Sequence, residues 1–162
     1  MKLTAAQQDY LEAIYRLEQE QDSGSIRVSD IAERLGTRLP TVSRTVRKLT
    51  DAGLLEHPVR GTVSLTPDGR STAAQFVHRH DDVVEFFRDV LGLTKDEAEE
   101  NACQIEHGLT NAAAQRLHEF LDFVDSLPEA HRSQLARFAR QESTGVSEFD
   151  QIESDKTSGW RA

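Results

Sequence analysis

At 162 residues the chain is long enough for one compact domain, or two small ones sharing an interface. Hydrophobic residues make up 37% of it and aromatic residues 6%, and no stretch approaches the roughly 20 apolar residues of a membrane helix. The opening Met1-Lys2-Leu3-Thr4 lacks the apolar run of a signal peptide, and the single cysteine excludes an internal disulfide, so a cytoplasmic protein without membrane contact is expected.

A net charge of −9 argues against a general nucleic-acid binder, but the charge is unevenly placed. Residues 1–70 balance ten Lys/Arg against ten Asp/Glu, and the whole deficit falls in 71–162. Within 26–48, Arg27, Arg34, Arg38, Arg44, Arg47 and Lys48 face only Asp30 and Glu33. A local basic excess inside an acidic chain is a directed patch.

The first predicted helix covers 4–20. Thr4 caps it with Gln7 at the capping-box position, and Tyr10, Leu11, Ile14, Tyr15 and Leu17 form an apolar stripe. The polar run 20–25 ends it. Ser29 is the expected cap of a short second helix with Ile31, Ala32 and Leu35 inward, stopped by Gly36. Pro40 suits the first turn of a third helix, where its missing N–H costs nothing; Val42, Val46 and Leu49 are its buried face and Gly53 closes it.

Two extended pieces follow, 54–57 and 63–66, joined through Pro58-Val59-Arg60-Gly61, which predicts a two-stranded hairpin. Thr66-Pro67-Asp68-Gly69 opens a long helix over 67–91, ended by Gly92. Thr94 caps another, with Asp96, Glu97 and Glu99 near its start, where acids complement the helix dipole. Thr110 caps a helix reaching Phe123 or Val124, and Pro128-Glu129 starts a last one ending near Gln141. The polar remainder from Ser143 to Ala162 is expected to be disordered. The organisation read from this is three segments: 1–70, 71–141 and a tail over 142–162.

Helix, turn, helix, hairpin is the order of a winged helix-turn-helix, so the fold class is mostly α with this unit at the N-terminus. On the third helix Thr41, Ser43, Arg44, Arg47 and Lys48 fall opposite the buried face. Small hydroxyls admit a helix to the major groove and bond phosphates, while arginine binds guanine bidentately. Arg27, Arg38 and Pro40 flank this surface and Arg60 sits at the hairpin tip, so double-stranded DNA is the expected partner.

A second constellation points to metal. In Cys103-Gln104-Ile105-Glu106-His107 the thiol, carboxylate and imidazole share one face if the segment is helical, and all three are transition-metal ligand types. Asp9 and Glu12, at i and i+3, present two carboxylates on one side of the first helix. His78 and His80 are two apart on the long helix, so only one of them can face the cysteine segment. No H-E-x-x-H or paired C-x-x-C motif is present. A metallohydrolase using Glu12 or Glu106 as base lacks both a catalytic motif and a Gly-rich phosphate loop, and no enzyme activity is expected.

The motifs Asp9-Tyr10-Leu11-Glu12-Ala13-Ile14-Tyr15, Ile31-Ala32-Glu33-Arg34-Leu35, Pro40-Thr41-Val42-Ser43, Leu65-Thr66-Pro67-Asp68-Gly69-Arg70, Arg79-His80 and Ala102-Cys103-Gln104-Ile105-Glu106-His107, in that order, resemble the DtxR/MntR family of metal-activated transcriptional repressors over roughly residues 5–125. The resemblance implies a homodimer, with a helical metal-binding and dimerisation domain behind the winged helix. It implies metal-ligand roles for Asp9, Glu12, His80, Cys103, Glu106 and His107, and it favours His80 over His78. The iron-responsive branch usually carries methionine at the Asp9 position and cysteine at that of Cys103; the manganese-responsive branch carries the carboxylate of Asp9 but glutamate in place of Cys103. This chain mixes the two. The iron branch's ancillary glutamate falls on Val84, with Glu85 one position late, and its ancillary histidine is Glu99 here, a candidate ancillary ligand. Too few residues follow Ser126 for the SH3-like domain of longer members.

The expected function is therefore a repressor sensing Mn²⁺ or Fe²⁺ and controlling metal-homeostasis genes. Carboxylates favour manganese and the thiolate favours iron. The alternative is a winged-helix regulator answering to a non-metal effector, whose DNA affinity would be indifferent to EDTA.

Overall fold

The computed structural model describes residues 3–20, 26–56 and 62–140, a mostly α protein with one small sheet. Helix α1 (Ala5–Glu20) starts with the expected box: Thr4 Oγ1 accepts the Gln7 N–H at 3.3 Å, and Gln7 Oε1 accepts the Thr4 N–H at 3.0 Å. The two mutual bonds satisfy donors that a helix start otherwise leaves open. Strand β1 (Ile26–Arg27) leads directly into α2 (Val28–Arg34).

The cap of α2 differs from the sequence expectation. Ser29 lies inside the first turn, and it is the Asp30 carboxylate that accepts the Arg27 N–H at 2.9 Å. An acid in the first turn also meets the positive end of the helix dipole, an advantage a serine lacks. Gly36, at φ 57°, then makes the turn to α3 (Leu39–Asp51), with Pro40 in its first turn.

Strands β2 (Leu55–Glu56) and β3 (Thr62–Leu65) pair antiparallel, Leu55 opposite Leu65 and Glu56 opposite Ser64. The hairpin expected from sequence gains a third member, because β1 pairs with the other edge of β3, Ile26 opposite Val63. The residues Pro58 to Gly61, Arg60 included, lie outside the described residues, as does the tail beyond 140.

Helix α4 (Pro67–Glu85) is seated on the wing by backbone groups. Thr66 Oγ1 accepts the Gly69 N–H at 3.0 Å and donates to the Gly53 carbonyl at 2.8 Å, while the Thr66 N–H donates to the Leu54 carbonyl at 3.1 Å. Gly69 is needed for close approach: a Cβ there would stand 1.9 Å from the Leu54 carbonyl oxygen. Beyond Glu85 the helix widens into a π-type turn over Phe86–Val90. The chain then enters α5 (Lys95–Ile105), capped by Thr94 in a box with Glu97. A 3₁₀ turn (Glu106–Gly108) follows, then α6 (Asn111–Ser126), capped by Thr110, and α7 (Glu129–Ala139).

Two hydrophobic cores result. Leu11, Ile14 and Leu17 of α1 join Ile31, Val42, Val46 and Leu49 of the helix-turn-helix, the strand residues Ile26, Leu55, Val63 and Leu65, and Ala73 of α4. Farther along α4, Val83 and Val84 pack with Ala98 and Ala102 of α5. One helix thus serves both cores, and α1 also lies against it.

Because the obstacle at Gly69 is backbone rather than a flexible side chain, Gly69→Ala is expected to destabilise the fold by about 1–3 kcal/mol, as overpacking does. Thermal unfolding would register this as a fall of about 2–4 °C per kcal/mol; an unchanged midpoint would show that the contact yields freely.

Candidate metal centre and nucleic-acid face

The site forms where α1, α4 and the end of α5 meet. Asp9 and Glu12 come from α1, His80 from α4, Cys103 from the last turn of α5, and Glu106 and His107 from the 3₁₀ turn. That last placement changes the picture drawn from spacing. The α-helix ends at Ile105 but the Glu106 N–H still bonds the Ala102 carbonyl, so Cys103 and Glu106 keep helical spacing and line one cleft, while His107 lies within the 3₁₀ turn. Glu106 points inward, 4% exposed, while Cys103 stays exposed.

Glu106 is the shared member of two groups. Ligand atoms of His80, Cys103 and Glu106 all lie within 4.8 Å of one another, and so do those of Asp9, Glu106 and His107. His80 Nδ1 is 2.6 Å from Glu106 Oε2, and its Nε2 is 3.0 Å from Glu99 Oε2. His107 Nε2 stands 2.8 Å from Asp9 Oδ1 and 3.4 Å from Glu106 Oε1, and its Nδ1 is 3.0 Å from Gln8 Oε1. Glu12 belongs to neither group but is buried beside them in the same cleft, about 250 Å³ in volume. Of the two histidines that spacing left open, His80 points inward and His78 is exposed. Val84 is buried in the second core and offers no ligand atom.

Electrostatics mark the cleft as crowded with negative charge. Burial, reinforced by Glu106 and Asp9 and opposed by His80 and Arg16, pushes the Glu12 carboxyl up to about 7. His80 is raised to about 9, chiefly by its hydrogen bond with Glu106 and against the effect of burial. Partial desolvation of the sulfur, then Glu106, Glu99, Asp9 and Glu12, raise the Cys103 thiol above its ordinary value. A divalent cation at the centre opposes the anionic repulsion behind two of these shifts, since it is the largest local charge wherever it binds. Carboxylate, imidazole and one thiolate together suit a divalent transition metal between hard and borderline-soft. The residues present fit such an ion.

Two contacts at the site carried no signal in the sequence. Gln8 is one polar residue among several at the start of α1, and only the fold brings its amide to His107, ninety-nine positions away. Arg16 reaches across from α1 to Asp81 of α4 at 2.7 Å, close to the cleft.

The candidate nucleic-acid face is the side of α3 turned away from the first core. Val42, Val46 and Leu49 are buried, which turns Thr41, Ser43, Arg44, Arg47 and Lys48 outward; Arg38 and Pro40 at the start of α3 are exposed too, as is Arg27. Arg34 is tied to Glu20 and is not part of this surface. No helix among the described residues is long and apolar enough to cross a membrane.

Comparison with known proteins matches both halves. Residues 2–63 match the family model of the iron dependent repressor, N-terminal DNA binding domain, and residues 66–134 that of the iron dependent repressor, metal binding and dimerisation domain. The diphtheria toxin repressor of Corynebacterium glutamicum is 35% identical over 120 residues, 74% of this chain and 51% of that protein. The HTH-type transcriptional regulator MntR of Bacillus pumilus is 33% identical over 127 residues, 78% of this chain and 85% of that protein. A solved structure of a manganese-dependent transcriptional repressor in complex with manganese superposes with a TM-score of 0.65 at 34% identity, over 72% of this chain and 53% of that one. The chain thus spans about half the length of the diphtheria toxin repressors it matches and most of the length of the shorter regulators. With the winged helix, the cleft and these matches in agreement, the chain belongs to the DtxR/MntR family of metal-dependent transcriptional repressors.

Proposed function

We propose that this protein is a homodimeric transcriptional repressor that binds operator DNA when Mn²⁺ or Fe²⁺ occupies the cleft around Glu106. The observation that carries this reading is the origin of the donors. Asp9 and Glu12 belong to α1, whose apolar side is part of the core that holds the recognition helix α3. His80, Cys103, Glu106 and His107 belong to α4, α5 and the turn that follows. A bound divalent cation supplies the positive charge and the bonds that hold these two sets together. Asp9 and Glu12 then restrain α1, and with it α3, against the rest of the chain. In a dimer this sets the separation of two recognition helices, the quantity that operator half-site spacing tests. Ligand binding that favours one arrangement over another shifts the population toward it.

In this reading the DNA-binding unit is residues 1–70 and the dimerisation unit 71–141. Arg44, Arg47 and Lys48, with Thr41 and Ser43, face the major groove; Arg27, Arg38 and Arg60 contribute phosphate contacts. The second subunit covers the apolar side chains that this half leaves outside, Phe120 and Phe123 of α6 and Phe138 of α7, which are between 40% and 58% exposed. Large exposed apolar patches mark association surfaces, and the family model matching this half is that of a metal binding and dimerisation domain.

The metal is bound by carboxylates at Asp9, Glu12 and Glu106, imidazoles at His80 and His107, and the Cys103 thiolate. The hard oxygens favour Mn²⁺ and the sulfur favours Fe²⁺. Affinity in vitro rises generally from Mn²⁺ toward Cu²⁺, so the metal available in the cell decides which one is sensed.

With a duplex selected from a random-sequence pool by the Mn²⁺-loaded protein, fluorescence anisotropy is expected to show affinity rising about 5- to 150-fold on addition of Mn²⁺, or of Fe²⁺ without oxygen, for a coupling of 1–3 kcal/mol. EDTA should reverse the gain, and Arg44→Ala should weaken binding with or without metal; an affinity indifferent to metal and chelator would overturn the reading. Cys103→Glu replaces a soft ligand by a hard one and is expected to move the metal preference several-fold toward Mn²⁺, measured by competitive binding; an unchanged Fe²⁺/Mn²⁺ ratio would remove Cys103 as the discriminating ligand. Phe123→Glu places charge on the exposed face of α6 and should yield monomers in sedimentation velocity. If it remains a dimer, the association surface lies elsewhere.

A further inference from the structure

Glu99 stands apart from the donors named above. It reaches the site from the first half of α5, its side chain is about half exposed at 46%, and it makes a hydrogen bond with His80. His80 itself is held from both ends of its ring: Nδ1 lies 2.6 Å from Glu106 Oε2, and Nε2 lies 3.0 Å from Glu99 Oε2. A histidine that binds a metal uses one ring nitrogen and keeps a proton on the other, and the acceptor of that proton decides which nitrogen is which.

The two sides of the ring are not equivalent. On the Nδ1 side is the buried Glu106, which with Cys103 is within ligand-sharing distance of His80. On the Nε2 side is the half-exposed Glu99. His107 is arranged in the reverse sense: its Nε2 faces Asp9 and Glu106, and its Nδ1 meets the Gln8 amide oxygen, an outer acceptor. Each imidazole therefore has one nitrogen turned toward the shared carboxylate Glu106 and one anchored outside it.

We propose that Glu99 is a positioning residue rather than a ligand: it accepts the Nε2–H of His80 and so commits His80 to bind metal through Nδ1. Gln8 does the same for His107 with the opposite nitrogen, so that His80 presents Nδ1 and His107 presents Nε2 to the two sides of Glu106. The carboxylate on Nε2–H also makes Nδ1 a stronger donor, as outer carboxylates do for metal-bound histidines generally. The proposal rests on the cleft being a metal centre.

The test uses the full chain, ¹⁵N-labelled at histidine and loaded with ¹¹³Cd²⁺, read by long-range ¹H–¹⁵N spectra. The expected result is cadmium coupling to Nδ1 of His80 and to Nε2 of His107, with a proton retained on Nε2 of His80. Glu99→Gln keeps an acceptor oxygen and should preserve this pattern. Glu99→Ala should lose the single tautomer and weaken Mn²⁺ binding about 10- to 100-fold, the range for outer-shell partners, as measured from free Mn²⁺ by electron paramagnetic resonance. Because Glu99 is half exposed, neither variant threatens the core. Coupling through Nε2 of His80, with His107 still coupled, makes Glu99 a competing ligand and overturns the proposal alone, as does an unaltered pattern in Glu99→Ala. Absence of coupling to either histidine overturns the metal-centre reading itself and the proposal with it.

Discussion

Negative charge converging on one buried carboxylate is the constraint around which this molecule is arranged. Glu106 is almost wholly enclosed, and Asp9, Glu12, Glu99 and the Cys103 thiol crowd around it. A buried charge without a partner is among the costliest features a fold can hold. Here the enclosed anion is met by His80 and His107, and the strain of the arrangement is visible in the raised proton affinities of Glu12 and Cys103. A cleft built this way has different energies with and without a cation, which is the property a sensor needs.

The scaffold turns that local difference into a relation between halves. Helix α4 contributes Ala73 to the first core and Val83 and Val84 to the second, with His80 between them. Helix α1 joins the first core through Leu11, Ile14 and Leu17 and turns Asp9 and Glu12 toward the cleft. The ion pair between Arg16 and Asp81 ties the same two helices on the outside, where such a pair contributes little energy but helps fix direction. Neither half of the site stands on a loose loop. Donors on helices keep their geometry more closely than donors on loops do.

Much of this was legible in the chain. The helical periods of α1 and α3, the Thr4, Thr94 and Thr110 caps, and the glycine stops at 36, 53 and 92 all rest on local chemistry, and the structure follows them. What escaped notice depends on contacts distant in sequence or on very short elements. Strand β1 has two residues and no period to detect; it exists because β3 offers it an edge. Ser29 and Asp30 are both good residues for a helix start, and only the backbone path shows which one reaches Arg27. The Cys103 segment reads as one helical face from its spacing, and helical bonding does reach Glu106; what spacing does not show is that His107 falls in a 3₁₀ turn and that Glu106 is shared by two groups of candidate ligands. Glu99 illustrates the same limit: its place in the chain suggests an ancillary ligand, and only the fold brings its carboxylate to within 3.0 Å of His80 Nε2.

The close approach of Gly69 to Leu54 has a mechanical side. No side chain lies between α4 and the wing at that point, so the junction lacks the soft rotamers that usually absorb small movements. From Gly69 to His80 is eleven residues of continuous helix, about 16 Å, and over the whole 19 residues a tilt of about 5° carries one end some 2.5 Å relative to the other, given a rise of about 1.5 Å per residue. Helix α4 is thus a lever with a stiff joint at the wing and the cleft partway along its arm. Any change in the direction of α4 at His80 is therefore met at Gly69 by backbone rather than by a side chain that could give way.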